Sequence, residues 1–185
     1  MRMLKKEYLP HYTYDDYVEW EGRWELIDGV AYAMVPSPGR RHQALAYEIA
    51  RLLGNQVGDC TKCEVLGEID YKIAEDIVLR PDVVLTCGET NERFLTKPPE
   101  IIVEVISKST ALRDEKYKFE IYEKEKVKYY VLVYPDDLVA KVYKLDGRRY
   151  DKQGVFASES YEFDETICKV TLDFSEVFKR YRSAA

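Results

Sequence analysis

Two carboxylates lie inside apolar stretches of the sequence. Glu104 interrupts the run from Ile101 to Ile106, whose other members are all aliphatic. Asp82 follows Arg80 and Pro81 within the largely aliphatic stretch 77–85. A carboxylate that loses its hydration destabilises the fold unless a partner compensates for the lost water. Two such carboxylates on nearby strands therefore predict a shared divalent cation.

An alternative explains the same pattern without a metal. Each carboxylate could instead pair with an arginine or a lysine, and Arg80 is the nearest candidate for Asp82. Glu104 could also stand at the end of its strand, where water would solvate it at little cost. Residue spacing alone leaves these possibilities open.

A lysine supplies a third chemical group. In the predicted helix 110–126, Lys118 comes three and four residues before Ile121 and Tyr122, so it shares their face. Lys116 lies on a more mixed face, and a Lys118 stem that lies along the surface with a solvated ammonium is the alternative. Aspartate, glutamate and lysine suit metal-assisted phosphodiester hydrolysis: the carboxylates hold the cation, and the ammonium orients water or balances charge.

The elements that must position these groups follow from apolar periodicity and turn residues. Thr13 and Asp16 predict a helix start, and that helix should end near Gly22. Asp28-Gly29 between two apolar runs predicts a β-hairpin. A helix over 40–54 should end at Gly54. The remaining predicted elements are strands at 63–73, 77–86, 101–106, 128–134 and 138–145, the helix at 110–126, one or two weaker strands, and a helix near 173–181.

This order predicts a mixed α+β fold in which a central mixed sheet is flanked by helices. We expect one domain over residues 1–185. It would consist of an N-terminal helix and hairpin at about 12–36, a core at about 40–145, and C-terminal strands with a short helix at about 146–185.

Several short motifs resemble a known family. Arg80-Pro81-Asp82, Glu104-Val105-Ile106-Ser107, Ser109-Thr110, Arg113-Asp114 and Lys118-x-x-x-Tyr122 occur in this order. Further matches are Trp24 to Gly29, Pro36-Ser37-Pro38 followed by His42, and Lys128 to Val133. Together they resemble the Uma-type restriction endonucleases, a branch of the PD-(D/E)XK nuclease superfamily, from about Tyr12 to Lys144.

The resemblance implies a restriction-endonuclease-like core and Mg²⁺-dependent cleavage of DNA, with Mn²⁺ able to substitute. It implies that Asp82, Glu104 and the backbone carbonyl of Val105 hold the metal. A plain (D/E)-x-K motif would place lysine at position 106, where this sequence has Ile106. The resemblance moves the lysine role to the following helix and so to Lys118, which would assist the attacking water.

Three other residues are accessory candidates. His42 at the start of the first core helix matches a family histidine and could contact phosphate or a metal-bound water, or could be a surface side chain. Glu48 on the same helix could be an extra ligand. Glu25 in the hairpin could line the site or pair with a basic residue.

Composition limits the function classes. The net charge of −6 disfavours loose nucleic-acid binding but leaves a local basic groove possible. No apolar run is long enough to span a membrane, and the N-terminus has no secretory signal, so we expect a cytoplasmic protein. The main alternative to the nuclease is a catalytically silent module of the same fold that binds DNA or assembles with protein. A hydrolase for RNA or a small molecule is a third. Cutting both strands of a duplex favours a homodimer.

The four cysteines are Cys60, Cys63, Cys87 and Cys168. In a cytoplasmic protein they are expected to be reduced thiols. Cys60 and Cys63 form a C-x-x-C pair without a second pair at matching spacing, so the sequence predicts no zinc site there.

Overall fold

The computed structural model describes residues 10–34 and 38–182. Pro36 and Ser37 of the motif above, and the first nine residues, lie outside the described residues. The helical elements are α1 (Tyr14–Tyr17), α2 (Arg40–Val57), a π-helical segment (Arg113–Lys118) that continues into α3 (Phe119–Lys124), and α4 (Phe174–Arg182). Among these helices, none has an apolar stretch of the length that crossing a membrane requires.

Twelve strands are described, and they form three sheets. In chain order the strands are β1 (Trp24–Ile27), β2 (Val30–Ala33), β3 (Cys63–Gly67), β4 (Tyr71–Ala74), β5 (Ile77–Leu79), β6 (Val83–Cys87), β7 (Ile101–Val105), β8 (Tyr129–Tyr134), β9 (Val139–Asp146), β10 (Arg149–Phe156), β11 (Ser160–Phe163) and β12 (Val170–Asp173). The sheets have the orders β10-β9-β8-β7-β6-β3, β2-β1-β5-β4 and β11-β12.

The six-stranded sheet is mixed because β7 and β8 run parallel while its other neighbours are antiparallel. Parallel neighbours need a crossover connection, and the segment that contains the π-helix and α3 supplies it. The predicted class, a mixed α+β fold with a central mixed sheet and flanking helices, is confirmed.

The predicted hairpin is present and belongs to the four-stranded sheet. Trp24 to Ile27 pair with Val30 to Ala33 in antiparallel register. Asp28 and Gly29 have φ values of 50° and 73°, which is the pattern of a type I′ turn. A Cβ atom at Gly29 would come within 2.3 Å of the His11 ring, so glycine is needed there for space as well. The hairpin carries Glu25 toward the centre of the molecule.

Two predicted strands are each divided in two. The chain leaves β5 at Leu79 and enters β6 at Val83, in a different sheet, because Pro81 lacks the N–H that a continuous ladder needs. The strand predicted at 63–73 is broken near Glu68, whose φ is 55°. Because of the break at residues 80–82, Asp82 is not part of a regular strand pairing and lies just before the start of β6.

Two helix boundaries also differ from the prediction. α1 ends at Tyr17 rather than near Gly22, although the Thr13 N–H does donate to the Asp16 carboxylate at 2.8 Å. α2 continues through Gly54 to Val57. Gly54 faces open space, so packing does not forbid the extra turn, and glycine inside a helix costs only about 1 kcal/mol.

Two apolar layers cover the central sheet. α2 buries Leu45, Ile49, Leu53 and Val57 against the face that carries Val83, Val103 and Val131. The opposite face, which carries Ile102, Glu104 and Tyr130, packs against the crossover segment and Tyr122. Four tyrosines, Tyr71, Tyr122, Tyr129 and Tyr130, contribute fully buried side chains to the core.

Replacing Ile49 by alanine should lower the free energy of unfolding by about 2–5 kcal/mol, because it opens a cavity beneath α2. The matched control is Tyr47→Ala on the same helix, where the side chain is 76% exposed and the change should stay within about 0.5 kcal/mol. Urea unfolding followed by circular dichroism measures both. Equal losses in the two variants would contradict the assignment of the buried face.

Candidate active site

A cavity of about 180 Å³ opens at the carboxyl end of β7. Its ionisable lining comes from the hairpin, α2, the break before β6, β7 and the crossover segment. These residues are Glu25, His42, Asp82, Glu104, Arg113, Asp114 and Lys118. Val105, Ser107 and Thr110 line the same cavity. Elements far apart in sequence thus converge on one polar pocket.

Asp82 is fixed by two hydrogen-bonding neighbours. Its Oδ2 accepts a bond from the Val105 N–H at 2.7 Å, which ties the break before β6 to the end of β7. His42 Nε2 lies 3.2 Å from the same oxygen. The carboxylate is only 11% exposed, so it faces the cavity rather than bulk water.

The imidazole of His42 is poised to carry a positive charge. Burial alone would lower its pKa, but the hydrogen bond and the charge of Asp82, with smaller contributions from Asp114 and the Val105 backbone, raise it above the usual value. Its buried Nδ1 has no hydrogen-bond partner in the part of the chain that the structure describes. His42 therefore presents a ring nitrogen that a ligand or a water in the cavity could engage.

Glu104 is buried at the end of β7, with 2% of its surface exposed. Its Oε1 accepts hydrogen bonds from Lys118 Nζ at 2.9 Å and from the Tyr122 hydroxyl at 3.1 Å. Burial raises the Glu104 pKa well above its usual value; Lys118 opposes this, while Asp114 and Asp82 add to it.

Lys118 occupies the centre of the charged cluster. Its Nζ lies 2.7 Å from Glu25 Oε1, 2.9 Å from Glu104 Oε1 and 3.3 Å from Asp114 Oδ1. Burial alone would lower its pKa, but the three carboxylates together raise it well above the usual value. The ammonium donates a hydrogen bond to Glu104 and forms ion pairs with Glu25 and Asp114.

The π-helical segment explains how two charged side chains point inward. Asp114 and Lys118 are four residues apart and both are buried, whereas Lys116 between them is exposed. π-helical turns are rare and often occur at functional sites. The Ser107 and Thr110 hydroxyls, 3.0 Å apart, help to fix the start of the segment. Lys118 rather than Lys116 or Lys108 faces the sheet, the orientation that helical spacing predicts.

Glu25 completes the cluster from the hairpin. Its side chain is fully buried, and Oε1 accepts a hydrogen bond from the Arg80 N–H at 3.1 Å in addition to the contact with Lys118. Arg113 Nε lies 3.4 Å from Glu25 Oε2. Glu25 thus joins the hairpin, the chain break and the crossover segment.

The structure brings most of the predicted site residues together. Asp82, Glu104, Val105, Lys118, Glu25 and His42 all line the one cavity. Glu48 does not line it: its carboxylate pairs with Arg51 at 2.6 Å, and it borders a separate cavity near α4. Arg80 does not pair with Asp82, because its guanidinium lies 3.5 Å from Asp70 instead.

Sequence reasoning assigned no role to Asp114 or Tyr122. Asp114 is 3% exposed and contacts Lys118, and Tyr122 donates to Glu104. The signal for Asp114 was present, since it lies four residues before Lys118 on the same helical face. No comparable signal marks the Tyr122 hydroxyl, because a tyrosine on an apolar face reads equally well as core.

The charges around the cavity do not balance. Four carboxylates, Glu25, Asp82, Glu104 and Asp114, face three basic side chains, Lys118, Arg113 and His42. The carboxylates outnumber the basic groups, and a bound cation would offset this imbalance. No three acidic or histidine side chains of this cavity place ligand atoms within 4.8 Å of one another. A metal here would therefore draw on two carboxylates, with backbone oxygen and water completing its shell, as they often do for Mg²⁺.

Comparisons with known proteins identify the family of this chain. The Uma2 family, described as "Putative restriction endonuclease", matches residues 14–173. An uncharacterised protein of Synechocystis is 31% identical over 125 residues, and the match covers 61% of this chain and 63% of that protein. The chain thus spans somewhat less than two thirds of the length of this relative.

Two solved structures are similar. The crystal structure described as a "putative nuclease belonging to DUF820" from Anabaena variabilis superposes with a TM-score of 0.72 at 16% identity, covering 90% of this chain and 97% of that one. The type IIG restriction endonuclease BpuSI gives a TM-score of 0.42 at 20% identity, covering 77% of this chain and 15% of that one. The first likeness shows a shared fold. With the family match over most of its length, the chain belongs to the Uma2 family.

Proposed function

We propose that this protein is a metal-dependent endonuclease that hydrolyses DNA phosphodiester bonds. The observation that carries the proposal is the convergence of four carboxylates on one cavity beside only three basic side chains, together with the burial of Glu104 there. Both are expected where a divalent cation belongs to the site. Membership of a restriction-endonuclease family agrees with this chemistry.

In this proposal Asp82, Glu104 and the Val105 carbonyl hold Mg²⁺, and Mn²⁺ can substitute. When bound, the ion would polarise a phosphate oxygen and acidify a water molecule. Asp82 is preorganised for this role by the Val105 N–H, which fixes one carboxylate oxygen at 2.7 Å. His42, held beside Asp82 at 3.2 Å, is suited to contact phosphate as a cation.

Lys118 was expected to assist the attacking water, and its contacts refine that role. Its ammonium donates to Glu104 and lies within ion-pair distance of Glu25 and Asp114, so three carboxylates surround it in this arrangement. We therefore propose that Lys118 orients Glu104 and offsets charge on the scissile phosphate. It remains close enough to the cavity to exchange one carboxylate partner for a water when substrate binds.

A catalytically silent module is the second candidate. Lys118 already neutralises part of the cluster, which would let the fold persist without a metal. The two functions separate in one comparison, since a silent module would bind DNA equally well with and without divalent ions and would leave it intact. Cleavage of RNA in place of DNA, with the same dependence on Asp82, would change the substrate but keep the site.

Millimolar Mg²⁺ or Mn²⁺ should raise the melting temperature of the wild-type protein, because the ion binds only the folded state. A free concentration of about 100 times Kd adds about 2.7 kcal/mol, and each kcal/mol corresponds to about 2–4 °C at this size. Asp82→Asn should abolish the rise, since the amide oxygen can still accept the Val105 bond but carries no charge. Differential scanning fluorimetry measures this.

The matched control is Glu48→Gln, which also removes one carboxylate but lies outside the cavity. It should keep the full metal-dependent rise. If neither ion changes the melting temperature of the wild-type protein, that result would count against the metal site. If Glu48→Gln loses the metal-dependent rise, the metal would instead bind at Glu48 on α2.

Lys118→Met should reduce single-turnover cleavage of plasmid DNA about 10²- to 10³-fold, the usual cost of losing one preorganised electrostatic group. Its metal-dependent rise in melting temperature should persist, because an ammonium is not a ligand. Lys116→Met, on the exposed face of the same segment, should cleave normally.

Removing Lys118 leaves three buried carboxylates, which typically destabilises a fold by about 3–5 kcal/mol. The double variant Lys118→Met with Glu25→Gln removes one cation and one anion, so it should regain part of that stability while remaining slow. Near-normal cleavage by a folded Lys118→Met protein would remove the lysine from the mechanism.

We also propose that the protein acts as a homodimer, since cutting both strands of a duplex is simplest with two sites related by a two-fold axis. Sedimentation equilibrium at high micromolar concentration should then give twice the chain mass of 21.7 kDa. A single species of chain mass, combined with double-strand cleavage, would show that one site cuts both strands in turn.

A further inference from the structure

The four cysteines converge on one point, away from the cavity. The sulfur atoms of Cys60 and Cys168 are in bonding contact, as are those of Cys63 and Cys87. The two pairs also touch each other, because Cys63 Sγ lies 3.1 Å from Cys168 Sγ. Cys60, Cys63 and Cys168 place their sulfurs within 4.8 Å of one another. The arrangement is one cluster of four sulfurs rather than two separate pairs.

Three separate segments deliver these side chains. After α2 the chain turns, with the Cys60 N–H donating to Val57 at 2.9 Å and the Cys63 N–H donating to Cys60 at 3.1 Å. Cys63 then opens β3 directly opposite Cys87 in β6. The loop between β11 and β12 supplies Cys168, whose carbonyl accepts a bond from the buried Thr166 hydroxyl at 2.9 Å. Each sulfur is thus positioned by local backbone structure.

The sulfurs have the features of a closed metal site. The turn from Cys60 to Cys63 has the C-x₂-C spacing common in zinc sites, and Cys87 and Cys168 bring the count to four. Cys168 is 8% exposed, and the other three are partly buried against the same apolar core. Four cysteines without a water ligand are the usual shell of a structural zinc ion.

Two disulfides explain the arrangement less well. The Cα atoms of Cys63 and Cys87 are 4.0 Å apart, shorter than the separation of about 4.4–6.8 Å that disulfides usually span. Two independent bridges would also give no reason for Cys63 and Cys168 to meet. Zinc would spread all four sulfurs to about 3.8 Å from one another, given a Zn–S distance of about 2.3 Å. In that rearrangement the sulfur of Cys87 would move toward the sulfur of Cys60.

We propose that Cys60, Cys63, Cys87 and Cys168 bind one structural Zn²⁺ ion as thiolates. The sequence predicted no zinc here because it offered no second cysteine pair at matching spacing. The structure brings two further cysteines to this pair singly, from β6 and from a loop more than one hundred residues downstream of Cys60. Thiolates on zinc remain reduced, so the proposal keeps the expectation of reduced cysteines.

The ion would fasten the C-terminal hairpin to the core. β3 is an edge strand of the central sheet, and the cluster joins it to the loop before β12. Beside it, Gln56 on α2 exchanges two hydrogen bonds with the Thr171 backbone, at 2.7 and 2.8 Å. Other bonds hold the loop of this hairpin, such as that from the Tyr129 hydroxyl to Asp164 at 2.7 Å, and zinc would add a covalent-strength link beside them.

The test uses untagged protein purified without chelator, added metal or reductant. Plasma mass spectrometry should find one zinc per chain, and alkylation after denaturation should modify all four cysteines. Cys87→Ser and Cys168→Ser should each lose the zinc. Asp82→Asn should retain it, which separates this site from the cavity. Two disulfides with no zinc, iron in place of zinc, or zinc lost in Asp82→Asn would each overturn the proposal.

A serine variant could fail to fold, so a second measurement uses the wild-type protein alone. Cobalt exchanged for zinc should give the intense visible bands of tetrahedral Co²⁺ and the ultraviolet thiolate charge-transfer bands. The weak spectrum of six-coordinate cobalt, without thiolate bands, would overturn the proposal independently of any variant.

Discussion

The buried ammonium of Lys118 holds the site together. It meets carboxylates from three places: Glu25 in the hairpin, Glu104 in the central sheet, and Asp114 in its own segment. None of these carboxylates could stay charged and buried alone, because desolvation would drive each to take up a proton. The lysine in turn keeps its charge only because three anions surround it. The hairpin, the sheet and the crossover segment are therefore held in register by one reciprocal set of charges.

Asp82 is not one of the three carboxylates that contact Lys118, so it gives the cavity a second, separate acidic group. Pro81 ends β5 and lets the chain cross to the other sheet, so Asp82 arrives without a place in a ladder. The Val105 N–H and His42 hold its carboxylate in the lining of the cavity. Glu104 is thus neutralised by Lys118 inside the protein, whereas Asp82 faces the space that a ligand would enter.

Much of the fold and site could be predicted because local rules and tertiary demands agree. Residue spacing predicts the Asp-Gly turn and the inward orientation of Lys118. The apolar sequence around Asp82 and Glu104 predicts that these two carboxylates are buried. Prediction failed where a distant contact decides. Gly54 would end an isolated helix, yet packing of Val57 extends it. The Glu48 contact is a different case, because Arg51 lies three residues further along the same helix and the sequence already held that signal. The meeting of Cys87 with Cys63 depends on strand register, and no periodicity records that.

The parallel pairing of β7 and β8 has a kinetic consequence. The crossover between them must close before Glu104 and Lys118 can meet, and the hairpin that carries Glu25 must dock from almost eighty residues away in sequence. Contacts of such long range form late and slowly during folding. Until they form, each carboxylate in the cluster remains hydrated and resists burial. A partly assembled core that buries these carboxylates without Lys118 is therefore destabilised by their charges. The cluster of Lys118 and its carboxylates therefore makes the last stage of folding cooperative.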